Sequence, residues 1–236
     1  MTSLLNLAAR FVPEGTLLPV LRGPARGLRW YAGAAPGPSK GLSVLWNRSE
    51  PAQLAAAARL AAGAACCLDI GAHTGLYTLV FARAARRVVA FEPWPRNLSW
   101  LHRTLEANRV ANATVLPWAV ARETGILSFR EGPYNSMGRL DAAGDHPVFA
   151  IGLDDFIARD GGKPEVLKID VEGAEVDVLR GGLGYLRERR PALLLSVHGA
   201  DKREECLALA RDLGYARIAP LNYRDPGQAD EFLIET

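Results

Sequence analysis

Lysine is scarce in this chain of 236 residues: four lysines stand against 24 arginines, and the formal net charge is only +2. The arginines are scattered rather than gathered on one helix or tail, which argues against a nucleic-acid-binding protein. Three cysteines, Cys66 and Cys67 side by side and Cys206 far away, give neither a disulfide framework nor a metal-ligand spacing. They are expected as small buried hydrophobes in a reducing compartment, so a cytoplasmic location is expected. Apolar runs are short, and none spans a bilayer. The opening stretch MTSLLNLAARFVPEGTLLPVL has no basic leader and is interrupted by Pro13, Glu14 and Gly15, so no signal peptide is expected. Leu4, Leu5, Leu7 and Phe11 are expected to pack onto the domain rather than to touch a membrane.

What is present is a composition of 49% hydrophobic and 23% charged residues, suited to one globular domain with a full core. Residues 1–48 are expected as an N-terminal helix and hairpin extension. The hairpin falls at residues 16–33, where RGPARG supplies the turn. Residues 49–236 are expected as the main domain. It opens with a helix capped by Ser49, carrying Pro51 in its first turn and ending near Gly63.

From there extended and helical patterns alternate. Strands are predicted at residues 65–70, 87–92, over ATVLPWAV, over VLKID and at 192–197. Helices are predicted at 76–85, 96–107, from about Ala174 and at 204–213. GILSF reads as an outlying strand and FLIE as a late one. Alternating units of this kind predict an α/β fold with a doubly wound, mostly parallel sheet and helices on both faces. Such sheets bind ligands at the carboxyl ends of their strands. Residues 131–152, rich in glycine, proline and asparagine, are expected as a lid or substrate loop.

The segment CLDIGAHTGLYTL places Asp69 at a strand end, Gly71 and Gly75 in the turn, and a helix directly after. Glycine allows the tight turn and the close approach of a ligand, and the helix start aims amide donors into the same space. Glu92 ends the next strand, where a carboxylate can accept both hydroxyl protons of a ribose. A dinucleotide fingerprint would need glycines where this chain has His73 and Leu76, so its pyrophosphate turn is missing. The remaining pattern suits S-adenosylmethionine, with Asp69 holding the cationic amino group directly or through water and Glu92 the ribose.

These segments, DIGAHTGLYT, FEPWPRN, LKIDVEGAEVDVLRGG and LLLSVHG, resemble the FkbM family of S-adenosylmethionine-dependent methyltransferases, and the resemblance covers residues 49–199. It implies a class I methyltransferase (Rossmann-like) fold and methylation of a hydroxyl on a natural product, sugar or glycan. Asp69, Gly71, His73 and Gly75 match the family's cofactor loop, Glu92 its ribose acid, and Asp170, Glu172 and Glu175 its acidic motif. Pro93, Asn97, Trp118 and Ala119 are further expected cofactor contacts, and Asn135 and Ser136 expected acceptor contacts. His73 stands where asparagine is common. The family often ends its fifth strand with Glu-x-His, whereas here Ser196 precedes His198, so the job of that glutamate passes to another residue or is weakened.

An alcohol is barely ionised at neutral pH, so methyl transfer to it gains from a general base. His198, Asp170 and Glu172 are the candidate catalytic residues, the first two expected at strand ends facing the crevice and Glu172 either as a substrate contact or as a helix cap. His198 is favoured as base because histidine titrates near working pH; the competing account is a ring bonded to a backbone carbonyl. Glu175 is expected as a helix-start carboxylate or structural ion pair, and Lys168 as the cation that neutralises one of the acids. A magnesium site built from Asp170 and Glu172 has no recognised spacing, so no metal is expected. The rival functions are a non-catalytic scaffold that keeps the fold and a nicotinamide-dependent oxidoreductase.

Overall fold

The computed structural model describes residues 6–7, 9–35, 37–132, 137–222 and 229–236. In chain order the strands β1 (Leu17–Pro19) and β2 (Arg29–Tyr31) form an antiparallel hairpin, as expected from the RGPARG turn. A 3-10 turn, Leu42–Trp46, leads into α1 (Pro51–Ala61). Ser49 does not cap this helix. Glu50 takes the N-cap in a left-handed conformation with φ 47° and makes no side-chain cap bond, while the Ser49 hydroxyl bonds that of Ser43 at 2.6 Å.

The alternating region comprises β3 (Cys67–Ile70), α2 (Leu76–Ala82), β4 (Val88–Phe91), α3 (Pro95–Ala107), β5 (Ala113–Leu116), β6 (Ala119–Ala121), β7 (Gly125–Arg130), β8 (Arg139–Leu140), β9 (His146–Gly152) and α4 (Leu153–Asp160). It continues with β10 (Val166–Ile169), α5 (Glu175–Gly181), α6 (Leu183–Arg189), β11 (Ala192–Ser196), α7 (Ala200–Asp212), β12 (Arg217–Pro220) and β13 (Glu231–Glu235). Seven strands form one sheet in the order β12-β13-β11-β10-β3-β4-β5. All pairs from β11 to β5 are parallel, and β13 runs antiparallel to both its neighbours. The carboxyl ends of β3, β4, β10 and β11 therefore share one edge with the amino end of β13.

Strands β3, β4 and β10 are buried along their whole length, which is why they read as unbroken apolar runs rather than alternating ones. Helices cover both faces. Leu54 of α1, Phe81 of α2 and Leu101 of α3 join Trp30 of the hairpin in one core. Phe156 of α4, Leu179 of α5, Leu186 of α6 and Cys206 of α7 build the other. The three cysteines are free and buried. At the amino end it is Ala9 and Val12 that meet the core. Leu7 and Phe11, expected to pack, lie exposed, because they stand one turn apart on the opposite side; Leu4 and Leu5 lie outside the described residues.

Three sequence expectations need correcting. ATVLPWAV is not one strand: Pro117 and Trp118 break it, and β5 and β6 belong to different sheets. Residues 131–152 are not simply a loop. They contain β8 and β9, which join β6 and β7 in a four-stranded sheet ordered β6-β9-β7-β8. Val148, Ala150 and Ile151 of β9 are buried. The helix after Ala174 also splits at Gly182, where a side chain would meet Leu153 at 2.5 Å.

Candidate active site

The turn after β3 is shaped by backbone crowding. Gly71 has φ 78°, and a Cβ there would stand 1.8 Å from the carbonyl oxygen of Asp170. Only glycine lets the ends of β3 and β10 meet so closely. The amides of Gly71 and Ala72 both reach the Phe91 carbonyl at the end of β4, at 3.0 and 2.9 Å. Gly75 opens α2 with φ 97° and packs on Leu101 of α3.

Glu92, next after β4, is bound into this loop. Its Oε2 accepts the amide of His73 at 2.8 Å. Its Oε1 accepts the Trp94 amide at 3.0 Å and the Asn97 side-chain amide at 3.2 Å. Burial outweighs these donors and pushes the Glu92 carboxyl up to about 7.

Asp69 does not face the cavity. It is fully buried, its Oδ2 accepts the Thr78 hydroxyl of α2 at 2.5 Å, and its Oδ1 has Lys168 Nζ at 3.7 Å. Side chains alternate along β3, and Asp69 is turned toward α2 rather than toward the cavity where the donor's amino group is expected. Lys168 ties the two strand ends together. Its Nζ donates to the Gly71 carbonyl at 2.6 Å and lies 3.4 Å from Asp170 Oδ2, above the Tyr77 ring at 5.2 Å. Burial opposes its charge, but Asp170 and Asp69 outweigh burial and hold the ammonium above its ordinary pKa.

Asp170, Glu172 and His198 come together although β11 and α5 separate them in sequence. His198 Nε2 lies 3.8 Å from Asp170 Oδ1 and 3.6 Å from Glu172 Oε2. On its other side Nδ1 meets Oε1 of the fully buried Glu175 at 2.9 Å. Glu175 Oε1 also accepts the Gly173 amide at 2.8 Å. Burial disfavours the charged ring, but the hydrogen bond to Glu175 and the charges of Asp170 and Glu172 prevail, raising His198 to about 9. The premise that His198 titrates near working pH therefore fails: three carboxylates keep the ring mainly cationic. Burial likewise acts against the Asp170 carboxylate, yet Lys168 and His198 hold it below its ordinary value. Glu172 is raised by burial.

These groups open on a cavity of about 450 Å³ at the carboxyl edge of the sheet. Gly71, His73, Glu92, Pro93, Asn97, Trp118, Ala119, Asp170, Glu172 and His198 all line it; Asp69 and Gly75 do not. Asn135 and Ser136 lie outside the described residues. Sequence reasoning missed Glu50, Tyr77, Arg139 and Glu231, which also line it. Tyr77 donates its hydroxyl to Glu50 Oε2 at 2.5 Å. Glu231 arrives from β13, whose pairing with β11 no local pattern announces. Burial raises Glu50, and raises Glu231 to about 8. Six carboxylates line the space together with Lys168, Arg139 and two histidines, and burial keeps several of the acids above their ordinary values.

The methyltransferase FkbM domain model matches residues 69–232. The chain belongs to the FkbM family of S-adenosylmethionine-dependent methyltransferases. Among curated proteins, the hexuronic acid methyltransferase AglP of Haloferax volcanii is 28% identical over 160 residues, covering 65% of this chain and 65% of its own. Methyltransferase 1 of Beauveria bassiana is 29% identical over 143 residues, covering 48% of this chain and 57% of its own. The matches thus span less than two thirds of either relative's length. The crystal structure of methyltransferase FkbM from Methylobacillus flagellatus superposes with TM-score 0.53 at 22% identity, covering 75% of this chain and 44% of the other. The FkbM chain thus has the class I methyltransferase fold that the alternating pattern and the resemblance imply. No helix among its described residues is long and apolar enough to cross a membrane.

Proposed function

We propose that this FkbM-family chain transfers a methyl group from S-adenosylmethionine to a hydroxyl of a sugar or glycan. The observation that carries the reading is the cavity's polarity. Glu92, clamped by the glycine turn, stands at one part of it, and the Asp170, Glu172 and His198 cluster at another. The donor brings a sulfonium and an ammonium, and a carboxylate-rich crevice attracts both.

In this reading Glu92 takes the ribose hydroxyls, with His73, Pro93 and Asn97 shaping that end and Trp118 and Ala119 beside the adenine. Asp170 faces the donor's cationic end, while Asp69 acts through Lys168 rather than by contact. The acceptor oxygen attacks the methyl carbon, an O–C bond forms, and the C–S bond breaks with its electron pair passing to sulfur. The hydroxyl proton leaves to the carboxylates of Asp170 and Glu172, whereas the His198 cation orders them. Holding the oxygen in line with the methyl group supplies much of the rate.

The hexuronic acid methyltransferase relative supports a sugar-class acceptor. The test is incubation with isotopically labelled donor and a panel of glycosides, glucuronides and polyketide alcohols, with products read by mass spectrometry. A methyl ether on a sugar hydroxyl supports the proposal. Donor binding with no transfer to any acceptor of the panel points to a scaffold and overturns it.

A further inference from the structure

The geometry points to a divalent-cation site formed by Asp170, Glu172 and His198. One ligand atom from each residue lies within 4.8 Å of the other two, and His198 Nε2 stands 3.8 Å from Asp170 Oδ1 and 3.6 Å from Glu172 Oε2. Neighbouring ligands on an octahedral ion with bonds of about 2.1 Å stand roughly 3 Å apart, so each acid needs to move by about 1 Å toward His198 Nε2.

Two details distinguish the cluster from an ordinary acidic surface. The imidazole is already oriented: the buried Glu175 carboxylate meets Nδ1 at 2.9 Å, leaving Nε2 aimed at the two acids. A carboxylate behind a histidine is the support that metal-binding imidazoles use to fix tautomer and ring direction. Lys168, in turn, neutralises Asp170 through Oδ2 at 3.4 Å, so that Oδ1 is the atom turned to His198. The sequence expectation of no metal rested on the Asp170–Glu172 spacing alone. The third ligand comes from the end of β11, beyond any local pattern.

Two carboxylate oxygens and one imidazole suit Mg²⁺ or Mn²⁺ and leave coordination positions for water and acceptor oxygens. The inference rests on the methyl-transfer reading for its purpose: binding the cation would displace the ring proton of His198 to solvent, and an acceptor hydroxyl on the cation would be acidified, its proton passing to the Glu172 oxygen that is not on the cation.

The experiment is a titration of Mn²⁺ into the purified chain, followed by the loss of the free-ion electron paramagnetic resonance signal. The wild type should bind about one ion with micromolar affinity. Glu172→Gln and His198→Gln should each weaken binding at least about tenfold, and Glu175→Gln by about tenfold through the lost support. Circular dichroism and binding of methylthioadenosine, a donor fragment, show whether each variant is folded; Glu172→Gln, on a partly exposed turn, carries the test should Glu175→Gln fail to fold. A free-ion signal unchanged by the wild type, or equal binding in both ligand variants, overturns the site. Methyl transfer that survives a chelator overturns it too while leaving the proposed function standing. Failure of methylthioadenosine to bind the wild type would instead sink the methyl-transfer reading, and the Mn²⁺ titration is decided independently of it.

Discussion

His198 Nδ1 and Glu175 Oε1 meet at 2.9 Å, joining the turn after β11 to the first residue of α5. Glu175 is fully buried, and its only other hydrogen bond to Oε1 among those seen is the Gly173 amide. Removing the ring leaves a buried carboxylate short of a donor. His198→Ala should therefore lower unfolding stability by about 1–3 kcal/mol. The double variant Glu175→Gln/His198→Ala should regain part of that loss, because the remaining amide carries no charge. Urea denaturation of the metal-free protein measures both, and a His198→Ala chain as stable as wild type would contradict the pairing.

Glu92 predicts a pH-dependent donor affinity. Burial raises its pKa to about 7, and only the ionised carboxylate accepts both ribose hydroxyl protons. Affinity should thus climb as pH rises through 7, by roughly tenfold between pH 6 and 8. Methylthioadenosine is the right probe because it lacks the titrating amino acid end of the donor. Glu92→Gln should bind it at least about tenfold more weakly, about 1.4 kcal/mol, with a flat pH profile. Calorimetry at several pH values decides, and a flat wild-type profile would remove Glu92 from the ribose.

Much of this arrangement is legible in the chain because it is local. The apolar runs of β3, β4 and β10 end in Gly71, Glu92 and Asp170, and a parallel sheet puts such ends on one edge. Asp69 shows the limit: alternation turns it toward Thr78, and a strand buried on both faces carries no polar pattern to reveal its direction. The sheet of β6, β9, β7 and β8 is hidden for another reason. Its parallel pair joins Ala119 to Ala150, and the glycine and proline of the intervening chain resemble a loop. The same non-locality conceals the Glu175–His198 pair and the approach of Glu231. Ser49 illustrates competition at short range: its hydroxyl finds Ser43 rather than the helix amides.

Gly71 separates crowding from backbone strain. Its φ of 78° matches that of Gly63, φ 80°, yet a Cβ at Gly63 would meet nothing within 4 Å, while at Gly71 it would strike the Asp170 carbonyl at 1.8 Å. Gly63→Ala should cost about 1–2 kcal/mol, the price of a left-handed side chain. Gly71→Ala should cost about 1–3 kcal/mol more, because two strand ends must part, and it should abolish methylthioadenosine binding. Equal midpoints for the two variants in urea would show that the contact between β3 and β10 yields freely.

Ser196 and Glu231 are opposite one another across β11 and β13. Directly opposed residues of an antiparallel pair project to the same face, with Cβ atoms about 5 Å apart. Both line the cavity. Ser196 stands where the resemblance leads to the expectation of a glutamate two residues before His198, and Glu231 brings a carboxylate to the neighbouring position from another strand. If the carboxylate matters and its strand of origin does not, Glu231→Ser should slow turnover about tenfold, about 1.4 kcal/mol of barrier. Adding Ser196→Glu to it should restore most of the rate. The pH profile supplies the second readout. Burial raises Glu231 to about 8, and the ionised form is the one that can order a cationic ring or a hydroxyl. Wild-type turnover should then rise with pH through about 8, and Glu231→Ser should lose that inflection while binding methylthioadenosine as before. Ser196→Glu alone should slow the enzyme, since two adjacent carboxylates cannot both ionise without repulsion. A double variant no faster than Glu231→Ser would mean that the position, and not only the charge, is specific to β13.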